Sequence, residues 1–326
     1  MSKSIGLFGF GEVARGFYQA LQSSQLDASI KKICIKDAAK PRDLDQSFFT
    51  SDPTVLLNDP DIDIIVELTD DTEISYEVVK QALTNGKATI SANKKMIAEN
   101  ISEVSHWHQT YSAPFIYEAS VGGSIPILQN LEQFFKQQEI HEIRAILNGS
   151  TNYILTQMQK NGLSLDEALI LAQEKGFAES DPEQDISGRD ALYKIIILSY
   201  HAFGETIGNL DQLRVESITN MEDHFYDLAK AQGLKIKSIA TAKRKNGKLS
   251  VKVQPELISQ DDELFGIEHE NNAIVIDGNL SGKQVYTGKG AGSLPTGAAV
   301  LNDLSLVLSG FRYGARKSIG GLKKSA

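Results

Sequence analysis

Cysteine is almost absent from this chain of 326 residues, since Cys34 is its single cysteine. One cysteine excludes a disulfide within the chain and with it the class of small secreted proteins that disulfides hold together. It also leaves too few thiols for a zinc site with cysteine ligands, and the six histidines are not spaced to replace them. We therefore expect the protein in a reducing compartment, the cytoplasm.

Long apolar runs and an excess of basic charge are missing as well. No uninterrupted apolar stretch reaches the roughly 18 residues that span a bilayer. The chain also begins without the basic start, apolar stretch and cleavage site of a signal peptide. The formal net charge of -9 argues against a surface that binds nucleic-acid phosphates. We therefore expect neither a membrane nor a nucleic acid as a partner.

What the sequence does contain is an alternation of apolar strands and helices in its first part. A short apolar strand at 5–8 leads through a glycine turn into a helix, and further strand candidates follow at 33–35, 62–68, 88–91 and 115–118. Such alternation implies right-handed crossovers and a buried parallel sheet. The fold class is thus α/β, opening with a Rossmann-type parallel sheet. Because the length exceeds what one core usually organises, an α+β second domain is expected after it.

The first glycine turn matches a dinucleotide-binding fingerprint, with Ala14 in the third small position. Two glycines there permit a tight turn and a close approach of pyrophosphate to the amino terminus of a helix. A plain turn between two elements is the alternative, but the position between the first strand and the first helix favours a cofactor site. The predicted cofactor-binding residues of this turn are Gly9, Phe10, Gly11, Glu12 and Val13.

Asp37 follows the second predicted strand, where an acid can bind the 2'-hydroxyl of the cofactor ribose. Lys36, Lys40 and Arg42 surround it, and cations at this place can equally pair with the 2'-phosphate of NADP. The residues therefore predict a nicotinamide dinucleotide and leave the choice between NAD and NADP open.

An acidic segment from Ala172 to Lys194 is the best candidate for the chemical site. Its Asp181-Pro182 should end one helix, and the next places Asp190 and Lys194 one turn apart on the same face. A surface ion pair is the alternative interpretation, but the apolar run that follows Lys194 indicates burial. Reduction of a carbonyl requires a proton donor, and a buried lysine can supply it.

With these residues, the chain resembles the homoserine dehydrogenases. The resemblance covers nearly the whole chain, and the segment 172–194 matches the family signature throughout. The other matching motifs are Ser91-Ala92-Asn93-Lys94, Glu118-Ala119-Ser120-Val121-Gly122-Gly123, Asn148-Gly149-Ser150-Thr151-Asn152-Tyr153 and Gly290-Ala291-Gly292. The resemblance implies reversible reduction of aspartate 4-semialdehyde to homoserine with NADPH or NADH, a step toward threonine and methionine.

The resemblance also implies a role for each residue of the site. Lys194 would be the general acid/base, Asp190 would position it and the reacting oxygen, and Lys94 is the second catalytic candidate. The substrate's ammonium group would be held by Glu179, with assistance from Asp185. Further cofactor contacts would come from Thr69, Lys94 and Gly292.

A monovalent cation such as sodium is a further implication of the resemblance. Its ligands would be main-chain carbonyls, with a flexible glycine turn as the alternative, and they would come from Glu118, Val121, Gly123 and Ile125. The acids in Thr69-Asp70-Asp71 depart from the neutral glycine loop usual in the family.

The resemblance completes the domain assignment. We expect a dinucleotide-binding domain at 1–127, a substrate-binding, catalytic and dimerisation domain at 128–288, a helix at 289–314 that packs back on the nucleotide domain, and a mobile tail at 315–326. A homodimer is expected through the second domain. The chain ends soon after its last predicted helix, so we expect neither a regulatory ACT domain nor an aspartokinase domain, and no feedback inhibition through one.

Other classes fit the residues less well. An aldehyde dehydrogenase that forms a thioester needs a placed cysteine, but Cys34 lies inside the second predicted strand. A lactate-type enzyme needs a histidine paired with a carboxylate, and no histidine sits in a recognisable pair. A dinucleotide-binding redox sensor without catalysis remains the alternative outside enzymes, and the acidic segment with its lysine argues against it.

Overall fold

A computed structural model describes residues 2–37, 40, 42, 44–221, 223–245 and 247–314. Contacts within the chain divide it into two units. Unit 1 comprises Met1–Pro126 and Ala291–Ala315, and unit 2 contains Ile127–Gly290. The tail predicted at 315–326 lies outside the described residues. Among the described residues, no helix has both the length and the apolar character that crossing a membrane requires.

Unit 1 is built on a parallel sheet. Its strands are β1 (Lys3–Phe8), β2 (Ala28–Cys34), β3 (Phe49–Thr50), β4 (Ile64–Glu67), β5 (Ala88–Ser91) and β6 (Phe115–Ile116). They are arranged in the order β3-β2-β1-β4-β5-β6, and every pairing is parallel. The order reverses between β1 and β4, and ligands of such sheets bind in the crevice outside the carboxyl ends of the strands at this point.

Helices flank this sheet and bury its apolar residues. They are α1 (Glu12–Gln22), α2 (Thr54–Leu57), α3 (Thr72–Thr84), α4 (Lys94–Glu99) and α5 (Ile101–Thr110). One core cluster joins Ile5 and Leu7 of β1 with Phe17 of α1 and with Val300 and Leu304, which are close to the end of the described chain. The last helix of the chain therefore belongs to the core of the first unit.

Unit 2 is a mixed sheet covered by helices. The helices are α6 (Ile127–Gln133), α7 (Gly149–Asn161), α8 (Leu165–Glu174), α9 (Glu183–Ile186), α10 (Arg189–Phe203) and α11 (Asp223–Gln232). The strands are β7 (Ile140–Ile146), β8 (Arg214–Val215), β9 (Lys235–Lys245), β10 (Lys248–Ile258), β11 (Asn271–Gly278) and β12 (Gly282–Lys289). Their order is β12-β11-β7-β9-β10-β8, and all pairs except β10 with β8 are antiparallel. The last helix of the described residues, α12 (Ser293–Leu308), belongs to unit 1.

The predicted α/β architecture is confirmed, including the return of the last helix to the first domain. Two details of the prediction are wrong. The strand expected at 115–118 ends at Ile116, because Glu118–Ser120 forms a 3-10 turn. The strand β12 was not predicted, since its residues alternate between exposed and half-buried positions and few of them are apolar.

Candidate active site

The glycine turn of the fingerprint connects β1 to α1 at the point where the strand order reverses. Gly9 has a left-handed φ of +85°, and a Cβ at this residue would lie 2.6 Å from the carbonyl oxygen of Leu68. Its N–H donates to the carbonyl of Cys34 at 2.9 Å. Both the conformation and the close contact require glycine, so this residue sets the path of the turn between β2 and β4.

The second glycine has a different reason to be small. Gly11 is the N-cap residue of α1, and no side chain caps the helix at this end. A Cβ at Gly11 would meet no protein atom within 4 Å. Glycine is therefore not required by the protein's own packing here, and the position is open for a ligand to approach the first N–H groups of α1. Glu12 is exposed beside it, and Phe10 and Val13 are half-buried.

Close packing of helix on helix involves two glycines that the fingerprint does not include. A Cβ at Gly16 of α1 would lie 2.0 Å from the carbonyl oxygen of Ser293, and one at Gly297 of α12 would lie 2.4 Å from the carbonyl carbon of Gly16. The sequence offered no signal for this pair, because the two glycines are far apart along the chain. They hold α1 and α12 together behind the fingerprint.

Asp37 is exposed after the end of β2, and its backbone carbonyl accepts a hydrogen bond from the Arg42 guanidinium at 3.1 Å. The same nitrogen of Arg42 donates to the carbonyl of Lys40 at 2.7 Å, and the guanidinium lies 5.1 Å from the centre of the Phe49 ring. Arg42 is thus fixed beside Asp37 and carries a positive charge into the region expected to bind the cofactor's ribose.

Asp71, one of the two acids that depart from the family pattern, has a local explanation. The Asp71 carboxylate accepts hydrogen bonds from the N–H groups of Glu73 and Ile74, both at 3.1 Å, and so caps α3. It also lies 3.6 Å from the Lys36 ammonium. The N–H of Ile74 is the largest cause that lowers the pKa of Asp71. Asp71 therefore stabilises the amino terminus of α3.

A buried carboxyl at the end of β4 was missed by the sequence reasoning, which treated that strand as apolar throughout. Glu67 accepts hydrogen bonds from the Thr69 N–H at 2.7 Å, the Thr69 hydroxyl at 2.6 Å and the Ser91 hydroxyl at 2.7 Å, and it also binds the Ser75 hydroxyl. Burial raises the pKa of Glu67, and these donors oppose that rise. The network ties β4, β5 and α3 together and fixes the loop that carries Thr69.

Lys94 begins α4 directly after β5 and is half-buried. The preceding Asn93 caps this helix, because its side-chain oxygen accepts from the Met96 N–H at 3.0 Å. The Asn93 amide also donates to the Thr69 carbonyl at 3.2 Å. Thr69 and Lys94, two predicted cofactor contacts, are therefore linked through Asn93 within unit 1.

The loop predicted to bind a cation is buried and tightly turned. Glu118, Val121 and Ile125 are each at most 2% exposed, and Gly123 has a φ of +57°. A second buried carboxylate, Asp303 of α12, accepts the N–H groups of Glu118 at 3.3 Å and of Ala119 at 3.2 Å. Burial raises the pKa of Asp303 well above its usual range, and the charge of Glu118 adds to the rise. Gly292, the remaining predicted cofactor contact, is the N-cap residue of α12 with a φ of +120°.

Lys194 is buried on α10 and doubly held. Its ammonium donates to the Asp190 carboxylate and to the backbone carbonyl of Leu147, both at 2.8 Å. The side chains of Lys194 and Asp190 are only 9% and 7% exposed. The pair predicted from the spacing exists, and it is buried rather than a surface ion pair.

Asn148 connects this pair to a third residue, Asp185. No role was predicted for Asn148 from the sequence. Its amide donates to Asp185 of α9 at 2.8 Å and to Asp190 at 2.9 Å. Its oxygen accepts from the Thr151 N–H at 2.7 Å, which caps α7. An Asn after an apolar strand, three residues before Thr, is typical of a helix cap, but its second function depends on tertiary contacts.

Asp185 carries the clearest electrostatic perturbation of this cluster. Burial raises the pKa of its carboxyl, the Asn148 hydrogen bond opposes the rise, and the negative charge of Asp190 adds to it. A cation beside Asp185 would stabilise its ionised form and so oppose the effects of burial and of Asp190. Glu179, the other predicted ligand of the substrate ammonium, lies in the exposed turn after α8, where its carbonyl accepts from the Gln173 amide at 3.0 Å.

Cys34 and His201, which bear on other reactions, are both buried. Burial raises the pKa of the Cys34 thiol to about 11, which leaves it protonated and a poor nucleophile. The expectation that no histidine pairs with a carboxylate is wrong, because His201 Nδ1 lies 2.6 Å from Glu132 Oε1. Both side chains are buried between α10 and α6, so a small substrate has no access to them.

Matches to known proteins cover both units of the chain. A family model described as homoserine dehydrogenase matches residues 126–305, and one described as the NAD binding domain of homoserine dehydrogenase matches residues 9–113. The homoserine dehydrogenase of Bacillus subtilis is 33% identical over 320 residues, which are 95% of this chain and 74% of that protein. That of a Synechocystis strain is 35% identical over 319 residues, or 93% of this chain and 73% of that protein.

Solved structures lead to the same family. A crystal structure of a homoserine dehydrogenase from Thiobacillus denitrificans superposes with a TM-score of 0.90 at 30% identity and covers 98% of this chain and 78% of that one. A hyperthermophilic archaeal homoserine dehydrogenase in complex with NADPH gives a TM-score of 0.81 at 25% identity, covering 96% and 99%. The alternative of a dinucleotide sensor without catalysis is not favoured. The chain belongs to the homoserine dehydrogenase family, whose members are NAD(P)-dependent oxidoreductases that act on a CH–OH group.

Proposed function

We propose that Lys194 is the general acid/base for the interconversion of L-aspartate 4-semialdehyde and L-homoserine. A bound dinucleotide supplies or takes up the hydride of this reaction. In the direction of reduction, the Lys194 ammonium gives a proton to the carbonyl oxygen and the neutral amine is reprotonated from water. In the direction of oxidation, the amine takes the hydroxyl proton. The observation that carries the proposal is the buried ammonium held by Asp190 and the Leu147 carbonyl.

Asp190 is proposed to position Lys194, and Asp185 to bind the substrate ammonium with Glu179. Support for Asp185 comes from its burial beside a second carboxylate, Asp190, because two negative charges close together favour the binding of a further positive charge. Lys94 is proposed to stabilise the negative charge that develops on the substrate oxygen and to contact the nicotinamide.

Replacing Asp185 with Asn is expected to raise thermal stability and weaken substrate binding together. Because the pKa of this acid is raised in the fold, the folded state disfavours its ionised form, and its destabilising effect is present at neutral pH. We expect Asp185→Asn to raise Tm by about 1 to 3 °C at pH 7. The gain should vanish near pH 3.5, below the usual pKa of an aspartate. The KM for aspartate 4-semialdehyde should rise about tenfold, as loss of an ion pair predicts. Calorimetry at both pH values and steady-state kinetics measure the two effects, and a lower Tm at pH 7 would contradict this account.

The dinucleotide is proposed to bind at the carboxyl ends of β1, β2 and β4. Gly9 and Gly11 permit its approach to α1, with Phe10, Glu12 and Val13 beside them, and Thr69, Lys94 and Gly292 complete the contacts. We propose NADPH as the preferred form, because Lys36, Lys40 and Arg42 provide more positive charge around the ribose than Asp37 offsets.

The cofactor preference should depend on ionic strength. With aspartate 4-semialdehyde as substrate, kcat/KM for NADPH is expected to exceed that for NADH at low salt. The ratio should shrink as potassium chloride is raised, because surface charges are screened. A preference for NADH at every salt concentration would reject the assignment to NADPH.

The carbonyls of Glu118, Val121, Gly123 and Ile125 are proposed to hold a monovalent cation. Support comes from the chemistry of the donors, since main-chain oxygens suit a hard cation of low charge, and from the buried carboxyls of Glu118 and Asp303 beside the loop. A bound sodium ion would stabilise this turn and, with it, the carboxyl end of β6.

We further propose a homodimer formed through the second domain and a location in the cytoplasm. Support for the homodimer comes from the resemblance to homoserine dehydrogenases. Support for the cytoplasm comes from the single cysteine, which fits a reducing compartment.

A further inference from the structure

Asn272 is a fully buried amide in β11, and the four residues that follow it on the strand are apolar. Its Nδ2 donates to the carbonyl oxygen of Leu147 at 2.9 Å. The same oxygen accepts the hydrogen bond from the Lys194 ammonium at 2.8 Å. Asn272 therefore binds an acceptor that holds the proposed general acid, and it does so from β11, which pairs with β7.

Gly290 leaves space for this amide. A Cβ at Gly290 would lie 1.9 Å from Nδ2 and 2.2 Å from Cγ of Asn272, so the amide lies directly against the backbone of the glycine. The glycine is needed for this close contact, since any side chain would displace the amide from Leu147. The Asn272 side chain thus packs against Gly290 and donates a hydrogen bond to Leu147.

The stability of the fold does not by itself account for an amide at this position. The side-chain oxygen of Asn272 is buried and accepts no hydrogen bond from the described residues. A buried acceptor without a donor costs about 1 to 3 kcal/mol. We therefore expect the benefit of Asn272 to come from the hydrogen bond that its side-chain nitrogen donates to the Leu147 carbonyl.

We infer that Asn272 is a positioning residue for proton transfer, and that Gly290 keeps its amide in place. The inference rests on the proposed role of Lys194. A lysine side chain has several rotatable bonds, so two fixed acceptors are needed to hold its nitrogen at one place. Asp190 is the first acceptor, and the Leu147 carbonyl, oriented by Asn272, is the second. Asp190 and, through Asn148, Asp185 are the charged groups of this cluster, and the substitution of Asn272 leaves both unchanged.

Replacing Asn272 with Ala tests the inference. We expect kcat to fall about ten- to a hundredfold, the loss typical of a misplaced catalytic group. The substrate KM and the dissociation constant of NADPH should stay within twofold. The alkaline limb of the kcat profile for reduction should move to lower pH, because a less well held ammonium loses its proton more easily. Asn271→Ala is the matched control, since that amide also donates to a backbone carbonyl, Glu268, but does not reach Leu147.

A second variant guards against a simple loss of folding. Gly290→Ala leaves Asn272 and every other residue of the cluster unsubstituted, and it should reproduce the lower kcat and the shifted pH limb by displacing the Asn272 amide. In the Asn272→Ala background, Gly290→Ala should cost almost nothing, because the space for a methyl group is then available. The two substitutions are therefore expected to be strongly non-additive.

The outcomes separate this inference from the proposed function. If Lys194→Ala is inactive while Asn272→Ala and Gly290→Ala keep the kcat and pH profile of the unsubstituted protein, the positioning role is wrong and the general acid stands. If Lys194→Ala remains active, the proposed function itself fails. Additive effects of the two substitutions would also overturn the inference, since they would act on separate contacts.

Discussion

Lys194→Ala is expected to lower kcat about a thousandfold, within the range that a general acid/base contributes. Such a loss corresponds to about 4 kcal/mol of transition-state stabilisation. The dissociation constant of NADPH should be unchanged, because the ammonium is bound to Asp190 and Leu147 of unit 2 while the proposed cofactor contacts lie in unit 1. Absorbance of NADPH with aspartate 4-semialdehyde gives kcat, and fluorescence titration gives the dissociation constant.

Loss of the lysine also leaves the Asp190 carboxylate with fewer partners, so a folding control is needed. Lys194→Arg keeps a cation for Asp190 but cannot release a proton at ordinary pH. We expect it to fold more stably than Lys194→Ala and to remain almost as inactive. Lys230→Ala, on an exposed helix face, should keep full activity. More than a tenth of the original kcat in Lys194→Ala would rule out the assignment.

Gly16→Ala should destabilise unit 1 by about 2 kcal/mol or more. Alanine in a helix interior is favoured over glycine by about 1 kcal/mol, so local propensity alone predicts a gain. The new Cβ would, however, lie 2.0 Å from the Ser293 carbonyl oxygen, and the two helices would have to separate. Overpacking of this kind costs about 3 kcal/mol. The steric cost therefore exceeds the gain in helix propensity, and the substitution is destabilising. Urea unfolding followed by circular dichroism measures the change in the free energy of unfolding.

Gly11→Ala is the matched comparison from the same segment. Its Cβ would meet no protein atom within 4 Å, and its φ of -82° is ordinary for alanine. The free energy of unfolding should therefore change by no more than about 0.5 kcal/mol. The affinity for NADPH should fall about tenfold, because glycine at this position allows the close approach of pyrophosphate. Equal stability of Gly16→Ala and Gly11→Ala would show that the contact between α1 and α12 is not tight.

The first half of the fold was predictable because its information is local. A short apolar strand, a glycine turn and an amphipathic helix follow one another from Lys3 to Gln22, and the buried strands that follow have the same apolar character. The pairing of Asp190 with Lys194 was equally accessible, since one helical turn separates them. Periodicity and spacing suffice where both partners lie within one element.

The rest depended on contacts between distant segments. Nothing in the spacing shows that Leu147 binds Lys194, that Asn148 binds Asp190 or that Asn272 binds Leu147. These contacts arise only when β7, β11 and α10 pack together. Glu67 was hidden in an apolar strand, and its hydroxyl donors come from three separate segments. A strand at a sheet edge, such as β12, buries too little apolar surface to leave a clear alternating pattern.

The contact of Gly16 with Gly297 has a consequence for how the chain matures. The core of unit 1 contains residues from Ile5 to Leu304, and the whole of Ile127–Gly290 is inserted between them. On a ribosome, the amino-terminal segment emerges first but lacks its closing helix until α12 (Ser293–Leu308) has been synthesised. The described part of unit 2, Ile127–Gly290, is continuous in sequence and is synthesised before α12, so it is free to fold before the core of unit 1 is complete. In this protein, the half that is translated first is the half that finishes last.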